Sequence, residues 1–309
     1  MKKWARQLAK AAVGLALLAS ALIATAFWAG NRELAPATMA ERQQSYQRAL
    51  SWVRVHEADL LKDSNVALWS FIQKAAERTG DDYLKALMAK YMEAFKKSDS
   101  ATSPWRRMVD PTAEVTFNAD DLQILAPYQR FFYHALTCRP VALDDGDTSV
   151  FLKNGVCHPA FTQVWLKDPA CTTHHLVGVM LLQSVGCVSR SELLTLENDL
   201  LADIQQQMRW DVVVKDAYLQ RLMLLMWYGK SEQVKPVWLK RVLQAQQPDG
   251  GWVGGRQFPE LPEWAQPWLM RSKLAVWWPS HFNSVNASDF HATAQGLLIA
   301  ALALTENQK

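Results

Sequence analysis

The side chains best suited to acid–base chemistry in this chain are His174, His175 and His291, with the carboxylates Asp216 and Asp289. Imidazole titrates near neutral pH, and a neighbouring carboxylate sets its charge and tautomer. Each of the five falls in or near the first turn of an apolar segment, at 173–185, 214–228 or 288–304. Helix N-termini carry unpaired N–H groups and attract anions. If the three segments run parallel, the five residues gather on one rim. Such a rim could serve as a catalytic acid–base set; its groups could equally cap the helices and satisfy one another.

Aromatic residues form a second group. Trp252, Trp264, Trp268, Trp277 and Trp278 lie in or beside the stretch 253–287, which also carries Pro259, Pro262, Pro267 and Pro279. A connection of this length is usually functional or disordered, and this one is too aromatic for disorder. Tryptophan faces stack on sugar rings or apolar ligands and also suit membrane interfaces. The stretch precedes His291 directly, so it could cover the rim as a ligand-binding mouth, or plug it.

Cys138, Cys157, Cys171 and Cys187 are an even set, which in an exported protein favours disulfides. Cys171 and Cys187 flank one helix, so they stand about 24 Å apart and cannot pair with each other. Two pairings remain: Cys138–Cys171 with Cys157–Cys187, or Cys138–Cys187 with Cys157–Cys171. The rival is zinc, held by Cys157, His158, Cys171 and His174, all ligand types that zinc accepts. The adjacent Cys157-His158 resembles the zinc ligands of lanthionine cyclases, with Pro159 where those proteins have glycine. The leading expectation is disulfides and no cofactor. Asp144, Asp145 and Asp147 form an acidic turn without EF-hand spacing, read as solvated.

These groups need positioning elements, and the chain opens on a conspicuous one. Lys2, Lys3, Arg6 and Lys10 precede a charge-free run, Ala11 to Ala29. Nineteen residues make a helix of roughly 28 Å, close to a hydrocarbon thickness. The flanking charge keeps the N-terminus cytoplasmic and sends the rest across. The leading reading is a signal anchor at 1–30 and a tether at 31–39. Beyond them lies a helical domain at 40–309 in the periplasm, of an inner-membrane protein. The competing reading is a signal peptide cut near Ala26, where Ala24-Thr25-Ala26 supplies small residues. The formal charge of +3 rests on the leader's basic residues, which leaves the remainder near neutral and gives no footprint for nucleic acid.

Helical patterns follow at 40–61, 66–77, 82–97 and 120–137, with a polar segment near 97–117 that could mark a sub-boundary. In the second half, segments apolar on every side (173–185, 214–228, 288–304) alternate with amphipathic ones (192–209, 236–246). Helices apolar all round are buried, and striped ones lie outside. The alternation predicts an all-α fold, an α/α toroid-like arrangement of helical hairpins.

Between the last outer and last inner segments, Gln246, Gly250 and Trp252 match Q-x-x-x-G-x-W. This resembles the repeated motif of squalene–hopene cyclases and related α/α toroids, where it implies a clasp between helices. The cyclases' D-x-D-D acid motif does not occur in this chain, so their reaction is not implied. Nor does the chain carry a G-x-S-x-G elbow, a phosphate loop, a dinucleotide fingerprint or an H-E-x-x-H helix. The leading functional expectation is a binding module for a carbohydrate, peptidoglycan or lipid-like ligand. The alternatives are a polysaccharide lyase or hydrolase using the rim, and a membrane-associated interaction protein with no small ligand.

Overall fold

A computed structural model describes residues 2–98, 102–143, 146–153, 155–165, 168–228, 231–254 and 288–306. Its α-helices are α1 (Lys2–Asn31), α2 (Met39–Leu60), α3 (Val66–Thr79), α4 (Asp82–Lys96), α5 (Pro127–Thr137), α6 (Ala160–Trp165), α7 (Cys171–Val185), α8 (Arg190–Trp210), α9 (Asp216–Trp227), α10 (Pro236–Gln244) and α11 (Phe290–Thr305). A two-residue antiparallel pair, Ala142–Leu143 with Gly146–Asp147, is the one β element among the described residues. The fold is all-α.

The boundaries follow from local chemistry. Thr38 and Glu41 form a reciprocal capping box at the start of α2, and Asp81 and Ser189 cap α4 and α8 through their side chains. Such caps satisfy N–H groups that have no partner inside the helix. Gly80 and Gly186 close α3 and α7 in the left-handed conformation. One expectation is corrected here. The pattern at 120–137 is not one helix: Asp120–Gln123 is a 3₁₀ turn, and α5 begins at Pro127, which has no N–H to donate to a preceding turn. Asp289 caps α11 through its side chain, and the neighbouring Ser288 hydroxyl donates to Asp249.

The core is organised on α11. From Ala292 to Ala303 every residue is buried, and the helix packs against α2, α3 and α9. Its small residues let these neighbours approach closely. α7 packs against α5, α8 and α9, while α8 presents one inward stripe of Leu193, Leu196, Leu200, Leu201, Ile204 and Met208, with Glu197 and Gln207 buried beside it. One continuous apolar cluster runs from Ala37 to Ala303, on both sides of the segment 97–117. The connection after α1 is also part of this body: Ala37 is buried and Leu34 packs on the core, so residues 31–39 are not a free tether.

The Gln246–Trp252 segment is a clasp. Gln246 Nε2 donates to the carbonyls of Gly250 and Ser45, at 2.8 and 2.9 Å. Gly250 has φ 99°, and a Cβ there would lie 2.3 Å from the Arg48 carbonyl oxygen, so the turn requires glycine. Trp252 is fully buried. Its Nε1 donates to Val242 O at 2.8 Å, its backbone N–H to Thr293 Oγ1 at 3.0 Å, and its ring lies on Gly296. The end of α10 is thereby joined to the start of α11.

One N-terminal apolar helix, 26 residues from Arg6 to Asn31, is long enough to cross a membrane. The disulfides are Cys138–Cys187 and Cys157–Cys171, one of the two pairings that helix geometry allows. Together these features describe a membrane-anchored or exported protein.

Candidate functional site

The first turns of α3, α5, α7, α9 and α11 meet at a cleft of about 290 Å³. α3 brings Asn65 to Leu68, α5 brings Tyr128, Gln129 and Phe132, and α7 brings His174 and Val177. Gln220 comes from α9 and His291 from α11; Phe71, Trp105 and Met108 complete the walls. α2, α4, α8 and α10 contribute nothing to this lining. The cleft is thus set at the positive ends of five helix dipoles.

Its titratable centre is a short chain. His291 Nε2 lies 3.2 Å from Asp216 Oδ1, and Gln295 Nε2 donates to the same oxygen at 2.8 Å. His291 and Asp216 are partly exposed, whereas Gln295 is buried. His174 stacks on Tyr128 with ring centroids 4.2 Å apart and planes 9° from parallel, and Phe132 meets it edge-on. Burial pushes the His174 imidazole down to about 4; the charge of Asp216 opposes this shift and His291 adds to it. His174 is therefore a neutral imidazole at physiological pH, beside a carboxylate–imidazole pair.

The polar walls are partly unspent. Asn65 Oδ1 accepts from Ala67 N and Gln129 Oε1 from Ala126 N, while one end of the Gln220 amide is engaged by Thr173 Oγ1. The other end of each amide makes no hydrogen bond to the described residues. Gln220 is 5% exposed and lines the cleft.

No protein-family model, curated protein or solved structure matches this chain.

The expected rim is therefore assembled only in part. His174, His291 and Asp216 come together. Asp289 stands beside them as a cap, accepting from Ala292 N and from Gly254 N at 2.8 and 2.6 Å. His175 is a correction: successive helical residues diverge by about 100°, and its ring points away, donating to the Phe151 carbonyl. It faces a second pocket of about 330 Å³ with Cys157, Asp199 and Asp203. Burial lowers the His175 pKa, and burial together with Asp199 raises that of Asp203.

Trp252 is a second correction, since a fully buried ring wedged on Gly296 cannot stack on a ligand. Trp264, Trp268, Trp277 and Trp278 lie outside the described residues. The segment that carries them departs after Gly254 and returns at Ser288, next to Asp216 and Asp289. The zinc alternative is overturned, because Cys157 and Cys171 are bonded to each other while His174 is in the cleft and His158 is 3.7 Å from Asp168.

Sequence reasoning missed a buried network behind the cleft. Arg221 Nη1 lies 2.5 Å from Asp211 Oδ2, Arg221 Nε donates to Gln207 Oε1 at 2.6 Å, and Nη2 donates to the Pro169 carbonyl. Gln207 Nε2 donates to Thr172 Oγ1, which also meets Gln163 Oε1, both at 2.9 Å. This network ties the end of α8 and the start of α7 to α9. A single arginine within an otherwise apolar helical pattern was its only sequence signal.

Proposed function

We propose that the exported domain is a binding module whose cleft takes a carbohydrate, peptidoglycan or lipid-like ligand, and that among these it suits a saccharide best. The observation that carries this reading is the convergence of five helix first turns on one aromatic cleft with unspent amide groups. Ring faces of Tyr128 and Trp105 offer stacking surfaces, while Asn65, Gln129 and Gln220 offer hydrogen bonds between them. A purely acyl ligand would leave these amides unpaired, which is penalised in a closed site. The alternation of buried and flanking helices supports the α/α-toroid reading. The N-terminal charge supports an inner-membrane anchor with the domain in the periplasm.

Calorimetric titration of the full-length protein in detergent tests the binding reading. The panel should hold peptidoglycan fragments, neutral and uronic-acid oligosaccharides, and a short-chain phospholipid. Saccharide binding that weakens tenfold or more in Gln220→Leu and Tyr128→Ala is the expected result. Binding of the phospholipid alone, or of nothing in the panel, would overturn it; the latter would favour an interaction protein with no small ligand.

The His291–Asp216 pair favours one second reading, a polysaccharide lyase or hydrolase in which His291 moves a proton and Asp216 sets its charge. It predicts that His291→Gln retains binding and loses product formation.

A further inference from the structure

The joint between α1 and the rest of the chain has consequences for where the domain sits. From Arg6 to Thr25 α1 is exposed on every side; Ala26 and Ala29 are half-buried and Gly30 is buried. The last turn is held by four hydrogen bonds. Trp238 Nε1 donates to Gly30 O and Arg241 Nη2 to Ala29 O, both at 2.7 Å; Asn31 Nδ2 donates to Arg209 O at 2.9 Å, and Lys235 Nζ to Asn31 Oδ1 at 3.0 Å. The terminal carbonyls of a helix have no partners within it, and cations suit its negative end. α1 has no basic residue in its last turn, and the domain supplies Arg241 and Lys235 there. A Cβ on Gly30 would lie 2.5 Å from Arg209 O, so the fit leaves no slack.

Length then fixes depth. The undocked apolar part, Ala11 to Thr25, makes roughly 22 Å of helix, short of a hydrocarbon core of about 30 Å. The run reaches that thickness only if Ala26 to Ala29 are included, and of those Phe27 and Ala29 already touch the domain. The surface around them is aromatic. Phe27 packs on Trp210 with centroids 4.7 Å apart, and Trp210 meets Phe161 edge-on at 5.4 Å. Trp28 is 62% exposed, Phe27 and Phe161 are each 40% exposed, and the Arg32 guanidinium lies 5.9 Å over the Trp28 ring. Aromatic rings with nearby cations are the composition of a membrane–water interface.

We propose that the domain is seated directly on the lipid bilayer, with Phe161 and Trp210 in the interfacial layer beside Phe27 and Trp28. This rests on the reading that α1 spans the bilayer. The partner is the headgroup and upper acyl region of the leaflet from which the domain emerges. α8 ends at Trp210 and α9 begins at Asp216, so the same end of the helical stack carries the cleft rim. The seated face and the cleft are neighbours, and a ligand reaching the cleft does so close to the membrane.

Fluorine NMR of full-length protein labelled with 5-fluorotryptophan, in lipid nanodiscs containing a headgroup-chelated gadolinium lipid, tests the seating. Trp28, Trp210 and Trp227 are assigned with Trp28→Phe, Trp210→Phe (or Trp210→Tyr, should the first not fold) and Trp227→Phe. Trp227 lies at the far end of α9 and serves as the internal reference. The expected result is at least threefold greater paramagnetic broadening for both Trp28 and Trp210 than for Trp227. Broadening of Trp28 without Trp210 overturns the seating and leaves the spanning helix standing. Broadening of neither overturns the spanning helix and the seating with it.

Discussion

His291 Nε2 stands 3.2 Å from Asp216 Oδ1, and that oxygen is held from behind by Gln295 Nε2 at 2.8 Å. The arrangement fixes a carboxylate between a half-exposed imidazole and a buried amide. Exposed ion pairs contribute little to stability, at most about 1 kcal/mol. Asp216→Asn is therefore expected to lower the melting temperature by only a few degrees. Ligand affinity in the same variant is expected to fall tenfold or more. A stability loss well above 1 kcal/mol by urea unfolding, with affinity intact, would reduce the pair to a structural role.

The imidazole of His174 predicts an acid-sensitive fold. Its pKa is about 4 in the folded protein because of burial, against about 6.5 in an unfolded chain. Between these values the unfolded state binds more protons, so stability falls as pH drops from about 6.5 toward 4. Burial depresses His175 as well, which acts in the same direction. His174→Gln should flatten part of this dependence and leave the His175 part. Melting temperatures of the wild type and variant at pH 7.5, 6, 5 and 4 measure it. Parallel curves would mean that His174 is not buried as a neutral ring.

Much of the fold was legible because its signals are local. The apolar leader and the alternation of all-apolar with striped helices each depend on a few neighbouring residues. The cysteine pairing was reduced to two options by the length of α7, and the choice between them depends on how α5 packs along α7, which no local pattern encodes. The site was legible in outline only. His174 and His175 are adjacent in sequence and look equivalent, yet helical geometry sends them to different pockets. Asn65, Gln129 and Gln220 were invisible as ligand groups because single amides are common on helices, and only convergence makes them a wall. Trp252 looked like a ligand platform until Gly296 explained why a ring must be buried there.

That packing makes the clasp testable. Trp252→Ala removes a fully buried indole and strands the Val242 carbonyl, an expected loss of about 3–5 kcal/mol. Gly296→Ala places a methyl 2.3 Å from the Trp252 ring, an overpacking cost of about 1–3 kcal/mol. In the double variant the methyl has no ring to strike, so its penalty should largely vanish. Urea unfolding of the four proteins gives the coupling. Simple additivity would separate Trp252 from Gly296 energetically and refute the clasp.

Both disulfides should be intact in protein isolated from an oxidising compartment, giving no free thiol on denaturation. The bridges close chain segments of 49 and 14 residues. By loop-closure entropy the first stabilises by about 4 kcal/mol and the second by about 3. Paired serine replacements, Cys138→Ser with Cys187→Ser and Cys157→Ser with Cys171→Ser, compare them. Loss of the second bridge should also loosen the start of α7, visible as faster amide exchange at His174. Equal exchange there would show that Arg221 alone fixes that turn.

Arg221 is the residue whose removal should link stability to the site most directly. Its guanidinium is fully buried and makes 2.5 and 2.6 Å contacts with Asp211 and Gln207 while donating to Pro169 O. Arg221→Met leaves Asp211 as a buried charge with no counter-ion, for which the expected cost is about 3–5 kcal/mol. Adding Asp211→Asn removes that charge, so the double variant should regain part of the loss. Stability and site geometry then part company. The Pro169 carbonyl stays released in both variants, and it immediately precedes the turn that aims His174 at Tyr128. Ligand affinity should therefore remain weakened in the double variant even where stability recovers. Calorimetry and urea unfolding on the same samples separate the two effects, and affinity that recovers in step with stability would confine Arg221 to the core.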